Sequence, residues 1–410
     1  MIIDQRLINE LRENTQKRKF FDKCENTFSI DKKSEFQSFN PSPYSQGKTG
    51  CCWLLSALMC ISLFIEHSYG IKLNENTAFS KTYLMFYDKL ERATLFIKEY
   101  SENLNNNKYT RYMLNYLVTD RGQWHMAKNL ILKYGLVPRM EMDDNTDMLS
   151  TRIVNEMINV LLKKFAYKIS GSEKITYKEI EKLKKKTLQN VYDILVDFFG
   201  LTPIQIKLPK ELSREDKFVS PQEFFLNYIN FPFDDYQSIC NYGENLYTLY
   251  HIPINNNMIN GEETSFLNLP DDEFFEAIQK QLNKYHFCWY TCDASKGYDI
   301  NNSLFSCESL KNHILNSVLM DCNKSDMLKF KFAGPSHAMT FMDVYETDIN
   351  RYFVSHNSKS DLKKGGYCYS TVSWVRKFVF QAIVHKSILS TDLNKVKKEV
   401  VKPWDFYHLA

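Results

Sequence analysis

Gln46-Gly47-Lys48-Thr49-Gly50-Cys51-Cys52-Trp53-Leu54-Leu55 is a polar, glycine-punctuated loop that turns abruptly into an apolar run continuing through Ser56-Ala57-Leu58-Met59. The pattern predicts a helix beginning at Cys52. A cysteine at a helix start meets unpaired backbone N–H groups and the positive end of the helix dipole, and both favour thiolate over thiol. Gln46, six residues upstream, is placed to fold its side-chain amide back as an oxyanion donor. Taken alone, Cys52 also fits an inert core cysteine, since free Cys is among the most buried residue types. Neighbouring helical positions point about 100° apart, so one sulfur of the adjacent pair faces a given cleft. Trp53 and the offset from Gln46 select Cys52, which leaves Cys51 as a loop-side neighbour. A disulfide between the two would be strained.

A cysteine nucleophile needs a base, and the base must be held in orientation. His337 has the best setting among the nine histidines. Gly334-Pro335-Ser336 breaks the chain, and His337-Ala338-Met339-Thr340-Phe341 then reads as a strand entering the core. Twenty residues on, Asn357-Ser358 follows the strand-like Arg351-Tyr352-Phe353-Val354. Two neighbouring antiparallel strands would bring the Asn357 amide beside the imidazole, where it would fix the ring and its tautomer. The chain order Cys, His, Asn is that of papain-like proteases.

Further segments extend the pattern. They are Phe79-Ser80-Lys81-Thr82-Tyr83-Leu84, Gly122-Gln123-Trp124-His125-Met126, Lys133-Tyr134-Gly135-Leu136-Val137-Pro138, and the tail Pro403-Trp404-Asp405 ending in Leu409-Ala410. With the Cys, His and Asn motifs, and over most of its length, the chain resembles the bleomycin hydrolase and aminopeptidase C branch of the papain-like cysteine peptidases. The resemblance implies Cys52 as nucleophile, His337 as base, Asn357 as its orienting partner and Gln46 as oxyanion residue, with Gly122 and Gln123 in the substrate groove. It implies a C-terminal arm lying along the cleft, so that the carboxylate of Ala410 meets the α-ammonium of a bound peptide. It further implies a homo-oligomer, a hexameric ring.

The segment before Asn357 departs from the family pattern, Cys51 replaces its usual basic or small residue, and two further positions differ in the groove and over the Asn–His contact. Lys359 stands where the family carries Trp after Asn-Ser, and Arg121 replaces the first glycine of the groove. They keep open a second reading, a catalytically weak or inactive ring-forming homologue that binds or sequesters peptides. A papain-fold acyltransferase would share the thiolate chemistry.

The expected fold class is α+β: a papain-like two-lobed fold, helical lobe plus antiparallel β lobe, with a large helical insertion. Cys52 and His337 lie 285 residues apart, roughly twice the papain-type spacing of about 130–150. The expected organisation is an N-terminal arm or helix (1–40), a helical lobe with the nucleophile (41–140) and a helical insertion for assembly (141–284). A β lobe with His and Asn (285–395) and the C-terminal arm (396–410) follow. Amphipathic patterns predict helices at 148–167 and 177–199.

Composition agrees. The 410 residues are 44% hydrophobic, 25% charged and 14% aromatic, with a formal net charge of +3. So balanced a charge gives little support to nucleic-acid binding, and the Lys182–Lys186 run reads as a solvated helix face. The ten cysteines lack paired metal-ligand spacing; Cys288 and Cys292 flank a strand-like Trp289-Tyr290, so no metal and no cofactor are expected. The first residues lack the apolar core of a signal peptide, and no run approaches the roughly 20 apolar residues of a membrane span. Reduced thiols, a cytoplasmic location and peptide substrates complete the expectation.

Overall fold

A computed structural model of the chain describes residues 44–115, 117–143, 150–171, 175–213, 216–310, 313–346, 350–359 and 366–402. The expected N-terminal arm and residues 403–410, Ala410 included, lie outside the described residues.

The helix Cys52–Tyr69 begins where the sequence predicts and ends at Gly70, whose φ of 67° supplies the left-handed cap that a side chain would resist. It is apolar on all sides because it is buried on all sides: Trp53, Leu54, Leu55, Leu58, Met59 and Ile61 are all in the core. Among the described residues it is the one helix long and apolar enough to cross a membrane by length and composition. This corrects the expectation that no run approaches a span; here the same apolarity serves packing.

Around it lie Lys81–Glu102, capped by the Ser80 hydroxyl, and Trp124–Tyr134, closed at Gly135. Thr151–Ser170 and Tyr177–Phe199 pack on each other and on Lys81–Glu102. The last of the four has a reciprocal Thr176–Glu179 capping box, and it buries Val191, Leu195 and Phe199 at helical spacing.

One sheet of eleven strands forms the rest of the frame. Its order is Lys397–Val400, Thr248–Ile252, Thr264–Asn268, Tyr236–Cys240, Val379–His385, Cys288–Cys292, His337–Glu346, Arg351–His356, Tyr367–Thr371, Leu304–Phe305 and Tyr298–Asp299. In its centre Cys292 pairs with His337, and Thr340 pairs with His356 across an antiparallel ladder that shifts register between Val354 and Ser355. Trp289, Ala338 and Ile383 join the cluster that holds the helices. Their neighbours Cys288, Tyr290, Met339, Ala382 and Val384 join a second cluster with the helix Asp271–Tyr285. The alternation is the two-residue period of a strand, and it shows a sheet with a core on each face.

Helix was expected throughout 141–284, and the second half differs. Tyr236–Cys240, Thr248–Ile252 and Thr264–Asn268 are strands of the main sheet. Each is a short, largely buried run of mixed apolar and polar residues, with Gly243 and Asn245 at positive φ between the first two. Such runs suit fully buried strands, and periodicity alone does not distinguish them from helix. The predicted arm beginning at 396 likewise opens with an edge strand, Lys397–Val400, paired in parallel with Thr248–Ile252.

Candidate active site

Cys52 is the first residue of its helix, and Cys51 is its N-cap without a side-chain capping bond. The sulfur of Cys52 accepts a hydrogen bond from the backbone N–H of Ala338 at 3.5 Å, so the helix start is seated directly on the first turn of the His337 strand. Cys52 is partly exposed, whereas His337 and Asn357 are buried. His337 Nε2 lies 2.9 Å from Asn357 Oδ1, and Oδ1 also receives the N–H of Lys359 at 3.1 Å. A backbone donor can only meet an oxygen, so this second bond fixes the amide orientation. Nε2 must therefore carry the proton it donates, leaving Nδ1 as the basic lone pair. Nδ1 is buried and has no hydrogen-bond partner. An unpaired buried base one residue from the atom that touches Cys52 is what a thiol-deprotonating group requires.

Gln46 lies in the loop ahead of the helix and is tied to both sides of the site. Its Nε2 donates to the Thr49 carbonyl at 3.0 Å, its Oε1 accepts from Ser358 Oγ at 2.9 Å, and its backbone N–H donates to the Ser358 carbonyl. One N–H of the side-chain amide is thus engaged with the loop. Cys51 is buried with its sulfur 2.9 Å from Thr49 Oγ1, and burial pushes its thiol up to about 12. That keeps it protonated.

The groove residues are placed differently from each other. Gly122 packs against the indole of Trp53, where an added Cβ would lie 2.3 Å from the ring. The close approach that requires glycine here is to the indole of Trp53. Gln123 is buried as the N-cap of Trp124–Tyr134, so its side chain does not line an exposed groove. Arg121 is exposed, and its carbonyl is held by Arg92, which in turn grips Asp88 with both oxygens at 2.9 Å. Next to it, Asp120 accepts the Trp53 indole N–H on its carbonyl and Lys89 on its carboxylate.

Sequence reasoning missed the residues that join the nucleophile segment to the sheet. His356 Nε2 accepts the Tyr44 N–H at 3.0 Å, Trp289 Nε1 donates to the Trp53 carbonyl at 3.0 Å, and Thr340 Oγ1 donates to the Ser56 carbonyl at 2.9 Å. Only the placement of His356 and Ser358 beside Asn357 could have drawn attention to two of these positions.

The chain was compared with known proteins. The sequence profile of the Peptidase C1-like family matches residues 3–407. Aminopeptidase G of Lactobacillus delbrueckii subsp. lactis is 27% identical over 376 residues, covering 88% of this chain and 85% of that protein. Bleomycin hydrolase of Rattus norvegicus is 24% identical over 391 residues, covering 88% and 84%. A crystal structure of PepW from Lactobacillus rhamnosis HN001 superposes with a TM-score of 0.82 at 23% identity, over 98% of each chain.

Titration of the site runs against the expectation of a resting thiolate. The N–H groups of Ala338, Trp53 and Cys52 and the charge of Lys359 all favour the anion, but desolvation outweighs them and pushes the Cys52 thiol up. Burial also lowers His337 to about 4, beyond what the Asn357 hydrogen bond restores, and the Lys359 charge adds to the fall. The unliganded pair is therefore neutral thiol and neutral imidazole. Burial lowers His356 to about 3 and His125 to about 4 as well.

All three histidines take up a proton more readily in the unfolded chain, where the ordinary value is about 6.5. Stability is thus held above about pH 6.5 and falls as pH drops through the window toward 4, because only the unfolded state gains the protons. We expect the urea midpoint to decline steadily from pH 7 to pH 4.5, with a flatter decline in His356→Gln. A midpoint constant across that range would contradict the burial of neutral imidazoles.

Proposed function

The chain belongs to the Peptidase C1-like family, and on that premise we propose that it is a papain-like cysteine aminopeptidase acting through Cys52, His337 and Asn357. The observation that carries this reading is His337 with Nε2 committed to Asn357 and Nδ1 without a partner among the described residues, next in the chain to the Ala338 N–H that meets the Cys52 sulfur.

In the proposed reaction, His337 Nδ1 takes the Cys52 proton as the sulfur attacks the carbonyl carbon of the first peptide bond. Starting from a neutral pair, proton transfer and attack are coupled, and bound substrate is what makes the ion pair worthwhile. The backbone N–H of Cys52 and the free N–H of the Gln46 side chain are the proposed oxyanion donors; removing one such donor typically costs about 3–4 kcal/mol in transition-state stabilisation. His337 then protonates the leaving amine, releasing the shortened peptide and leaving an acyl thioester. Water, deprotonated by His337, resolves the thioester to the free amino acid and the thiol. Asn357 keeps Nε2 protonated and the ring aligned throughout.

Restriction to free N-termini is proposed for the C-terminal arm, with the Ala410 carboxylate pairing to the substrate α-ammonium. This part rests on the family resemblance of the tail. At 4 Å and an effective dielectric near 20 such a pair gains about 4 kcal/mol before desolvation and ordering oppose it. A homo-oligomer, a hexamer by the same resemblance, is also proposed. It is supported by the exposed Ile153, Met157, Val160 and Tyr167, which recur at helical spacing along the outer side of Thr151–Ser170.

Cys52→Ala is expected to abolish release of the reporter from aminoacyl substrates while leaving the assembly mass unchanged; retained turnover would refute the nucleophile. Free-amine peptides should be cleaved and N-acetylated ones refused, and a chain lacking its last residues should lose that distinction. If both proteins treat the two substrates alike, the arm has no gating role. Val160→Glu should lower the mass measured by light scattering, and an unchanged mass would exclude the Thr151–Ser170 helix from the interface.

A further inference from the structure

Lys359 lies where a peptide's next residue would pass, and we propose that its ammonium selects substrates with Asp or Glu immediately after the scissile bond. The proposal builds on the peptidase reading above and assigns it a substrate class.

The backbone of Lys359 is pinned to the catalytic groups: its N–H donates to Asn357 Oδ1 at 3.1 Å, the oxygen that holds His337 Nε2 at 2.9 Å. Asn357 and Ser358 are buried and Lys359 is exposed, so the chain surfaces at this residue, at the rim of the site. Among the described residues no carboxylate or carbonyl holds its ammonium, in contrast to Lys89, Lys128 and Lys324, which are all engaged. Its charge nevertheless reaches both Cys52 and His337, disfavouring the protonated imidazole and favouring the thiolate. Among the described residues its cation therefore has no counter-ion, while its charge bears on both Cys52 and His337.

The side of the site follows from the chemistry. His337 must deliver its proton to the leaving amine, so the residue bearing that amine lies toward His337 and Asn357, where Lys359 emerges. The four-carbon stem of lysine is long and flexible enough to follow a side chain there. A carboxylate on that residue would supply the missing counter-charge, and an ammonium would meet repulsion. Arg121 is a second exposed cation, but its loop is fastened to Trp53 through Asp120 and Gly122, on the nucleophile side. It serves as the control.

The test compares kcat/KM for free-amine peptides Ala-Glu-Ala-amide, Ala-Gln-Ala-amide and Ala-Lys-Ala-amide. An exposed pair of this kind is worth up to about fivefold, so the wild type should prefer Glu over Gln by a factor of about two to five at low salt and less at high salt. Lys359→Gln should bring the Glu/Gln ratio to about one, and Lys359→Glu should favour the Lys peptide, as expected for a charge that is read directly. Arg121→Gln should keep the wild-type ratio. Equal rates in the wild type, or a preference that survives Lys359→Gln or disappears in Arg121→Gln, would overturn the assignment while leaving the peptidase intact. No turnover of any of the three peptides would remove the peptidase reading itself and this proposal with it.

Discussion

The join between the first helix and the centre of the sheet is the constraint on which the site depends. Residues 44–56 are tied to the strands at 288–292 and 337–341 and to residues 356–358 by the hydrogen bond that the Tyr44 N–H donates and those that Gln46, Cys52, Trp53 and Ser56 accept. Partners along the chain are 236 to 312 residues apart. Most of these groups are buried, and an unpaired buried donor or acceptor costs about 1–3 kcal/mol, so the register of helix on sheet has little freedom. Sliding the helix would break several bonds together. The position of Cys52 against His337 is thus a by-product of satisfying backbone groups, with the apolar cluster around Leu54, Leu58, Trp289 and Ala338 closing off alternatives.

The same burial that orders the site sets its electrostatics. Ala338, Trp53 and Cys52 offer N–H groups to the sulfur, as a helix start should, yet the desolvation of a thiolate is the larger effect. His337 is likewise kept neutral. A site of this kind holds its ion pair only when another group repays the desolvation, and the developing charges of a reacting peptide are suited to that. Lys359 works in opposite senses on the two partners, easing the thiol and opposing the imidazolium.

Much of the fold was legible because local chemistry and tertiary placement agree. The apolar run after Cys52 stops at Gly70, Thr176 and Glu179 make the reciprocal cap of an amphipathic helix, and the strand at 337–346 follows the break at Gly334-Pro335-Ser336. The strands between 236 and 268 were misread as helix because their burial on both faces erases the alternation that marks a strand. The packing of Gly122 against the indole of Trp53 was not legible in the sequence, because it depends on where two separate segments meet.

By itself the chain determined the residue types of the candidate site and their order: a cysteine at a helix start, a histidine opening a strand, an asparagine closing the next. Those are consequences of covalent neighbours and hydrophobic period, which act within a few residues. Tertiary structure alone decided which nitrogen of His337 is committed to Asn357, that burial pushes the Cys52 thiol up, and that Lys359 surfaces next to them. Each of these depends on desolvation and on hydrogen bonds between groups far apart in the chain, and neither quantity exists until the helix is seated on the sheet.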